Sequence, residues 1–183
     1  DIAESWNLRK MRWWLTPSWS GGPSTRYSMF NAKSETLSRS RAFREPFKKR
    51  RCIIPASGYY EWKREGVQKT PYCMTPAEDF GFAFAGLWDC WQSEKQNLES
   101  CAIVTAQAPL GMQKIHNRMP VLLTDYDAMA WARGETHLNE LEAILRPEIR
   151  KGIRVTPVST LVNNARNKDA RCVEPVGESF IVN

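Results

Sequence analysis

The chain has only two histidines, and its five cysteines, Cys52, Cys73, Cys90, Cys101 and Cys172, form no C-x-x-C pair. Neither a zinc ribbon nor a disulfide framework fits that pattern, so reduced thiols and no metal are expected. No apolar run approaches the roughly 20 residues of a membrane span, and the opening DIAESWNLRK lacks the apolar centre of a signal peptide. No segment repeats and none is of low complexity. These absences lead to the expectation of a soluble, cytoplasmic protein, nucleoid-associated if bacterial, with no membrane contact, no metal and no cofactor.

A length of 183 residues suits one domain spanning 1–183, with a monomer as the default. Hydrophobic residues make up 42% of the chain, enough for a core without crosslinks, and eight tryptophans exceed what packing requires. A net charge of +6 and a pI near 9.2 favour a polyanionic partner. The text reads as short strands between turns: MRWWLTP, RCIIPASGYYEW, TPYCMTP, FGFAFAGLW, CAIVTAQA, RMPVLLT, IRVTPVS and SFIVN. Helices are expected over 125–133 and 139–145, and a third over 36–47. Thr124 with Asp127 forms a capping box for the first, and Gly134 sits at its C-terminal cap. The expected fold is α+β, a curved and mostly antiparallel sheet approaching a barrel with a few peripheral helices.

Three polar residues lie in aromatic or apolar settings: Asn31 in FNAKSET, Glu61 in ASGYYEW and His116 in HNRMP. Each loses free energy on dehydration unless paired, a tension that marks chemistry more often than packing. Strand alternation puts Tyr59 and Glu61 on one face and Tyr60 and Trp62 on the other, and a carboxylate among rings becomes a general acid near neutral pH. The plainer alternative is a surface Glu paired with Lys63 or Arg64. His116, between a loop and a strand, can move protons at a pocket rim, or simply be a satisfied polar group. Asn31, Lys33 and Glu35 follow a period of two; Asn31 can orient a substrate oxygen and Lys33 meet a phosphate, or Asn31 can close an Asx turn. The run RSRAFREPFKKRR, with Arg39, Arg41, Arg44, Lys48, Lys49, Arg50 and Arg51, suits a phosphate backbone, or else a solvated helix face. Trp13, Trp14 and Trp19 upstream add rings of the kind on which single-strand bases stack.

As a set, the blocks MRWWLTPSW, FNAKSET, RRCIIPASGYYEW, FAGLWDCW, HNRMPV and VSTLVNNARN resemble the SOS-response-associated peptidase (SRAP) family over nearly the whole chain. The resemblance implies a protein that senses abasic sites in single-stranded DNA. It implies an N-terminal cysteine, exposed by self-removal of the initiator methionine, whose amine and thiol close a thiazolidine on the ring-opened sugar. Asn31 would then hold the cysteine and sugar, Glu61 and His116 would move protons, Lys33 and Arg118 would contact the DNA backbone, and Trp13 would stack or wedge at the lesion.

Three departures from the family pattern stand out. No cysteine precedes Cys52, so an N-terminal segment carrying the nucleophile is expected to be missing from these 183 residues. Trp14 stands where the family usually has glycine, and Lys33 replaces the more common arginine, keeping charge but losing bidentate geometry. Two other readings stay open: a non-covalent single-stranded nucleic-acid binding module using Trp13, Trp14 and the basic run, and a cysteine hydrolase using Cys52 with His116.

Overall fold

A computed structural model describes residues 6–183, and in it ten strands form two sheets and four short helices lie at the periphery. The central strand is β7 (Asn97–Gln107). β6 (Phe82–Gln92) runs antiparallel to it, and β3 (Arg51–Ala56) runs antiparallel to β6. Along the other edge of β7, the short strands β1 (Arg12–Trp13) and β2 (Asn31–Lys33) pair in parallel. The expected curved, mostly antiparallel sheet is observed, and these two parallel partners make it mixed.

β6 and β7 stay in register only as far as Gly86 and Ile103. Beyond that point β8 (Arg118–Pro120) pairs with β7, and the chain after it bonds to both strands. Val121 N–H donates to Val104 O at 2.9 Å, while Val121 O and Ala83 O accept from Ala85 and Leu123 N–H at 3.0 and 2.8 Å. Residues 118–123 therefore wedge the two long strands apart and curl the sheet into a half-barrel. The second sheet, in order β10-β9-β5-β4, contains β4 (Tyr59–Glu65), β5 (Gln68–Pro76), β9 (Ile153–Pro157) and β10 (Phe180–Val182), all antiparallel.

Period-two alternation divides the core into two layers around the first sheet. Ala85, Leu87, Ala102, Val104 and Val121 face α1 (Arg44–Lys49), α3 (Asp125–Ala132) and α4 (Leu138–Ile144). Phe82, Phe84, Met119 and Leu122 face the second sheet, meeting Met74, Ile153, Val155 and Val182. Trp131 of α3 is fully buried, and its Nε1–H reaches Cys52 O and Gly86 O at 3.1 and 3.2 Å. The capping box of Thr124 and Asp127 is present, and buried Asp127 also meets Arg150 at 2.7 Å.

Several expectations are corrected. RCIIPASGYYEW is two strands in different sheets. The chain crosses between them at Gly58, where a Cβ would stand 2.6 Å from Met74 O, too close for any side chain. The helix expected over 36–47 begins at Arg44, after turns, because Pro46 has no N–H and its ring fits only in a first turn. Only Arg12 and Trp13 of MRWWLTP are strand, since Trp14 takes φ +146°. Glu35 leaves the alternation of Asn31 and Lys33 by entering a 3₁₀ turn, Ser34–Thr36. The loop APLGMQKI contains one helical turn, α2 (Leu110–Gln113).

A Cβ on Gly86 would lie 2.8 Å from both Cys52 Sγ and Ile54 Cδ1. Gly86→Ala should therefore destabilise the fold by about 1–3 kcal/mol in urea unfolding, as overpacking does. An unchanged midpoint would show that β3 yields freely.

Candidate functional site

Downstream of Gly58 the alternation of β4 turns Tyr59 inward, where its ring packs on Phe82 and Phe84. Its hydroxyl is buried without a partner among the described residues, and burial, helped by Glu61, pushes the phenol up so that it stays neutral. Glu61 shares that face with its side chain 22% exposed. Burial raises its pKa, while the nearby His116 and a backbone hydrogen bond at Trp62 oppose the rise. On the opposite face, Trp62 donates to Asn163 Oδ1 at 2.6 Å, and Lys69 lies 4.5 Å from its ring centroid. Of the asparagines in VNNARN, Asn163 thus fastens the segment to the outer side of the second sheet, while Asn164 and Asn167 bond within the segment to Arg166 N–H and Leu161 O.

His116 is placed by the turn of α2: its N–H donates to Met112 O, while Ala108 N–H donates to Asn117 O and closes the loop. Its Nδ1 lies 3.7 Å from Glu61 Oε1, an electrostatic contact longer than a hydrogen bond. The same nitrogen is 3.0 Å from Arg118 O and 3.2 Å from Arg118 N. Protonated Nδ1 donates to the carbonyl, and bare Nδ1 accepts from the N–H, so the ring stays anchored in either tautomer.

The Arg118 side chain runs to the adjacent strand. Its guanidinium meets Thr105 Oγ1 and O at 3.2 and 2.6 Å and forks onto the Glu35 carboxylate with two contacts of 3.1 Å. Burial works against the charge of Glu35, yet Arg118 prevails and holds its pKa below the usual carboxylate value. Residue order named Arg118 as a DNA-backbone contact and put Glu35 in the same FNAKSET block as Asn31, but it gave no sign that the two pair with each other.

β2 aligns Asn31 with Ile103 and Lys33 with Thr105, the residue that Arg118 grips from the other edge of β7. Asn31, Lys33, His116 and Arg118 therefore cluster around one end of β7, with Glu61 facing His116. Asn31 and Lys33 are exposed, and neither side chain has a hydrogen-bond or ion-pair partner among the described residues. Trp13 is 57% exposed beside them, with its Nε1–H on Phe30 O at 2.8 Å; the Trp14 indole reaches Tyr27 O at 3.1 Å.

The basic run divides. Lys48 and Lys49 are exposed, 4.0 and 3.6 Å from Glu45. Arg50 lies 3.2 Å from buried Asp89, whose carboxylate accepts from Ser18 and Cys90 N–H. Arg51 caps carbonyls of α1 and α3 at Phe47, Lys48, Trp131 and Arg133. Arg41 stacks on exposed Trp19 with 4.2 Å to the ring centroid. The reading of Cys52 as a nucleophile is not supported: burial, and then neighbouring Cys101, push its thiol up to about 12, and His116 is committed to Glu61 and Arg118. No group of three or more His, Cys, Asp or Glu that could hold a metal occurs among the described residues.

The model of the SOS response associated peptidase (SRAP) family matches residues 2–165. The chain belongs to that family. It is 38% identical over 170 residues to the abasic site processing protein YoqW of Bacillus subtilis (strain 168), covering 91% of this chain and 76% of that protein. To the abasic site processing protein HMCES of Xenopus tropicalis it is 32% identical over 194 residues, covering 92% and 57%. A solved protein from Bacteroides thetaiotaomicron matches with a TM-score of 0.81 at 26% identity, covering 91% of this chain and 75% of that one. No helix among the described residues is long and apolar enough to cross a membrane.

Two outcomes follow for this SRAP chain. A carboxyl whose folded pKa is raised stabilises the fold below its unfolded pKa, and that contribution disappears as pH rises through the folded value. The melting temperature of the parent should therefore fall relative to Glu61→Gln as pH rises through the raised pKa of Glu61; a constant difference would contradict the burial of its charge. Cys52 should resist alkylation in the folded protein and react once it unfolds, and prompt labelling of the native thiol would revive the hydrolase reading.

Proposed function

We propose that this chain is a DNA-damage response protein that acts on abasic sites in single-stranded DNA, as one SRAP-like domain and a monomer. The observation that carries the reading is the half-buried Glu61 facing the anchored His116 at the end of β7 where the Asn31 side chain has no partner among the described residues. It is supported by membership of the SRAP family and by relatives that are named abasic site processing proteins.

The chemistry follows from the aldehyde of a ring-opened abasic sugar. An N-terminal cysteine amine adds to the carbon, the carbinolamine loses water to give a Schiff base, and the thiol adds to the same carbon, closing a thiazolidine. Glu61, shifted toward its protonated form by burial, gives a proton to the departing oxygen, and His116 takes one from the attacking amine. The 3.7 Å between them leaves the pair to tighten when substrate enters. Asn31 holds the sugar and the reacting cysteine. The same proton-transfer pair serves self-removal of the initiator methionine. These 183 residues supply the pocket in which such a cysteine would react. Exposed Trp13 offers a ring for a base, Lys33 an unpaired charge for a phosphate, and Lys48 and Lys49 a wider electrostatic footprint. Arg118 would exchange its Glu35 fork for a phosphate, while Trp14 and Arg50 act through the loops that they hold.

A second reading, a non-covalent single-strand binding module, is favoured by exposed Trp13 and by exposed Lys33, whose ammonium has no partner among the described residues.

A denaturing gel with an oligonucleotide bearing one abasic site separates them. The gene-encoded protein should give a covalent band, which Glu61→Gln slows by about 10²- to 10⁴-fold, the usual worth of a general acid. The 183-residue chain should bind the abasic oligonucleotide more tightly than an intact one without a covalent band. Lys33→Ala should lower the salt slope of binding by about one. No band from the gene-encoded protein leaves the binding module as the better reading, and a band from the 183 residues alone overturns the assigned nucleophile.

A further inference from the structure

Trp14 is the one non-glycine residue with positive φ among the described residues, at +146°. A side chain is strained there, whereas glycine is not. The turn itself is required: Trp14 N–H still bonds Cys101 O at 3.1 Å, and the chain then drops Leu15 into the core at 1% exposure. Glycine would make that turn without strain. The indole must therefore contribute something that the turn does not need.

Two contacts of the indole point to one place. Nε1–H donates to Tyr27 O at 3.1 Å, and the ring tilts against Phe30 with centroids 5.1 Å apart. Phe30 immediately precedes Asn31. The same stretch is held at Met29 O by Leu15 N–H at 3.0 Å, and at Phe30 O by Trp13 Nε1–H at 2.8 Å and Ile103 N–H at 3.0 Å. The loop before it is tied to β6 at Ser18, whose N–H donates to Asp89 at 2.9 Å, and at Ser20, whose carbonyl accepts from Trp91 at 2.9 Å, so the indole is what holds the stretch between Ser20 and Met29 at Tyr27.

We propose that Trp14 is a positioning residue, kept in a strained backbone because its indole clamps the loop that aims Asn31 into the site. The proposal rests on the functional reading of Asn31, and it concerns the strained residue of this chain rather than the family pattern. Strain that persists beside a site is a recognised sign of such pre-organisation.

The test uses Trp14→Gly, which removes indole and strain together, and Trp14→Phe, which keeps a ring against Phe30 but no N–H. Two measurements are made on the 183-residue chain. Amide hydrogen exchange reads Leu15 and Ile103, the donors to Met29 and Phe30 carbonyls. Fluorescence anisotropy reads binding of an abasic-site oligonucleotide and of an intact one of the same length. In Trp14→Gly the two amides should exchange about tenfold faster, and affinity for the abasic oligonucleotide should fall about tenfold, as loss of one aligned hydrogen bond allows, with intact-strand affinity unchanged. Trp14→Phe should lie between Gly and parent in both readouts. Equal losses on both oligonucleotides would make Trp14 a direct contact or a general prop and overturn the proposal. So would unchanged exchange in both variants. If the parent itself does not prefer the abasic oligonucleotide, the functional reading fails, and hydrogen exchange still decides whether the clamp exists.

Discussion

Backbone hydrogen bonds made by residues 118–123 govern where the other parts of this protein can sit. β6 and β7 are long enough to pair along their whole length, but the later segment inserts between them past Gly86 and Ile103. A sheet with an extra strand at one end must splay there, and its twist turns the splay into curvature. The same insertion fixes the register of Arg118 opposite Gln107 and thereby sets His116 at the mouth of the split. Glu61 reaches that mouth from the second sheet because β4 crosses over at Gly58, against the backbone of β5. The site is thus a by-product of how two sheets share one layer of apolar side chains.

Within it, two carboxylates are driven in opposite directions. Glu35 has a guanidinium in a two-point fork and is held ionised. Glu61 is pushed toward the protonated form by burial, which outweighs the opposing imidazole at ion-pair distance. Such divergence between two acids gives them different chemical characters, and the proton-transfer role proposed for Glu61 builds on it. Arg118 links the two, because its side chain neutralises Glu35 while its backbone anchors the ring that faces Glu61.

The basic and aromatic residues are likewise sorted by packing. Arg50 and Arg51 neighbour Lys48 and Lys49 in sequence, yet the arginines are turned inward, one to Asp89 and one to helix carbonyls, and the lysines stay in solvent. Helix C-termini leave carbonyls that a guanidinium fork satisfies better than an ammonium does. Trp13 and Trp14 are adjacent and chemically alike, but a single positive φ sends one to the exposed rim and the other onto the loop before Asn31.

Much of this was legible in the residue order. Apolar alternation in FGFAFAGLW and CAIVTAQA marked the long strands, the Thr124 and Asp127 spacing marked the start of α3, and strand alternation put Tyr59 and Glu61 on one face. Those are local properties, set by side-chain period and by bonds between near neighbours, so the sequence by itself determined them. Pairing partners were not legible: parallel β1 and β2, the wedge of 118–123, and the crossing at Gly58 depend on contacts between residues far apart in the chain. For the same reason the Glu35–Arg118 fork, the Arg50–Asp89 pair and the strain at Trp14 emerged only in three dimensions. The sequence determined which groups resist dehydration; tertiary structure alone decided which of them meet, because distance and burial, not residue type, set the energy of a charge.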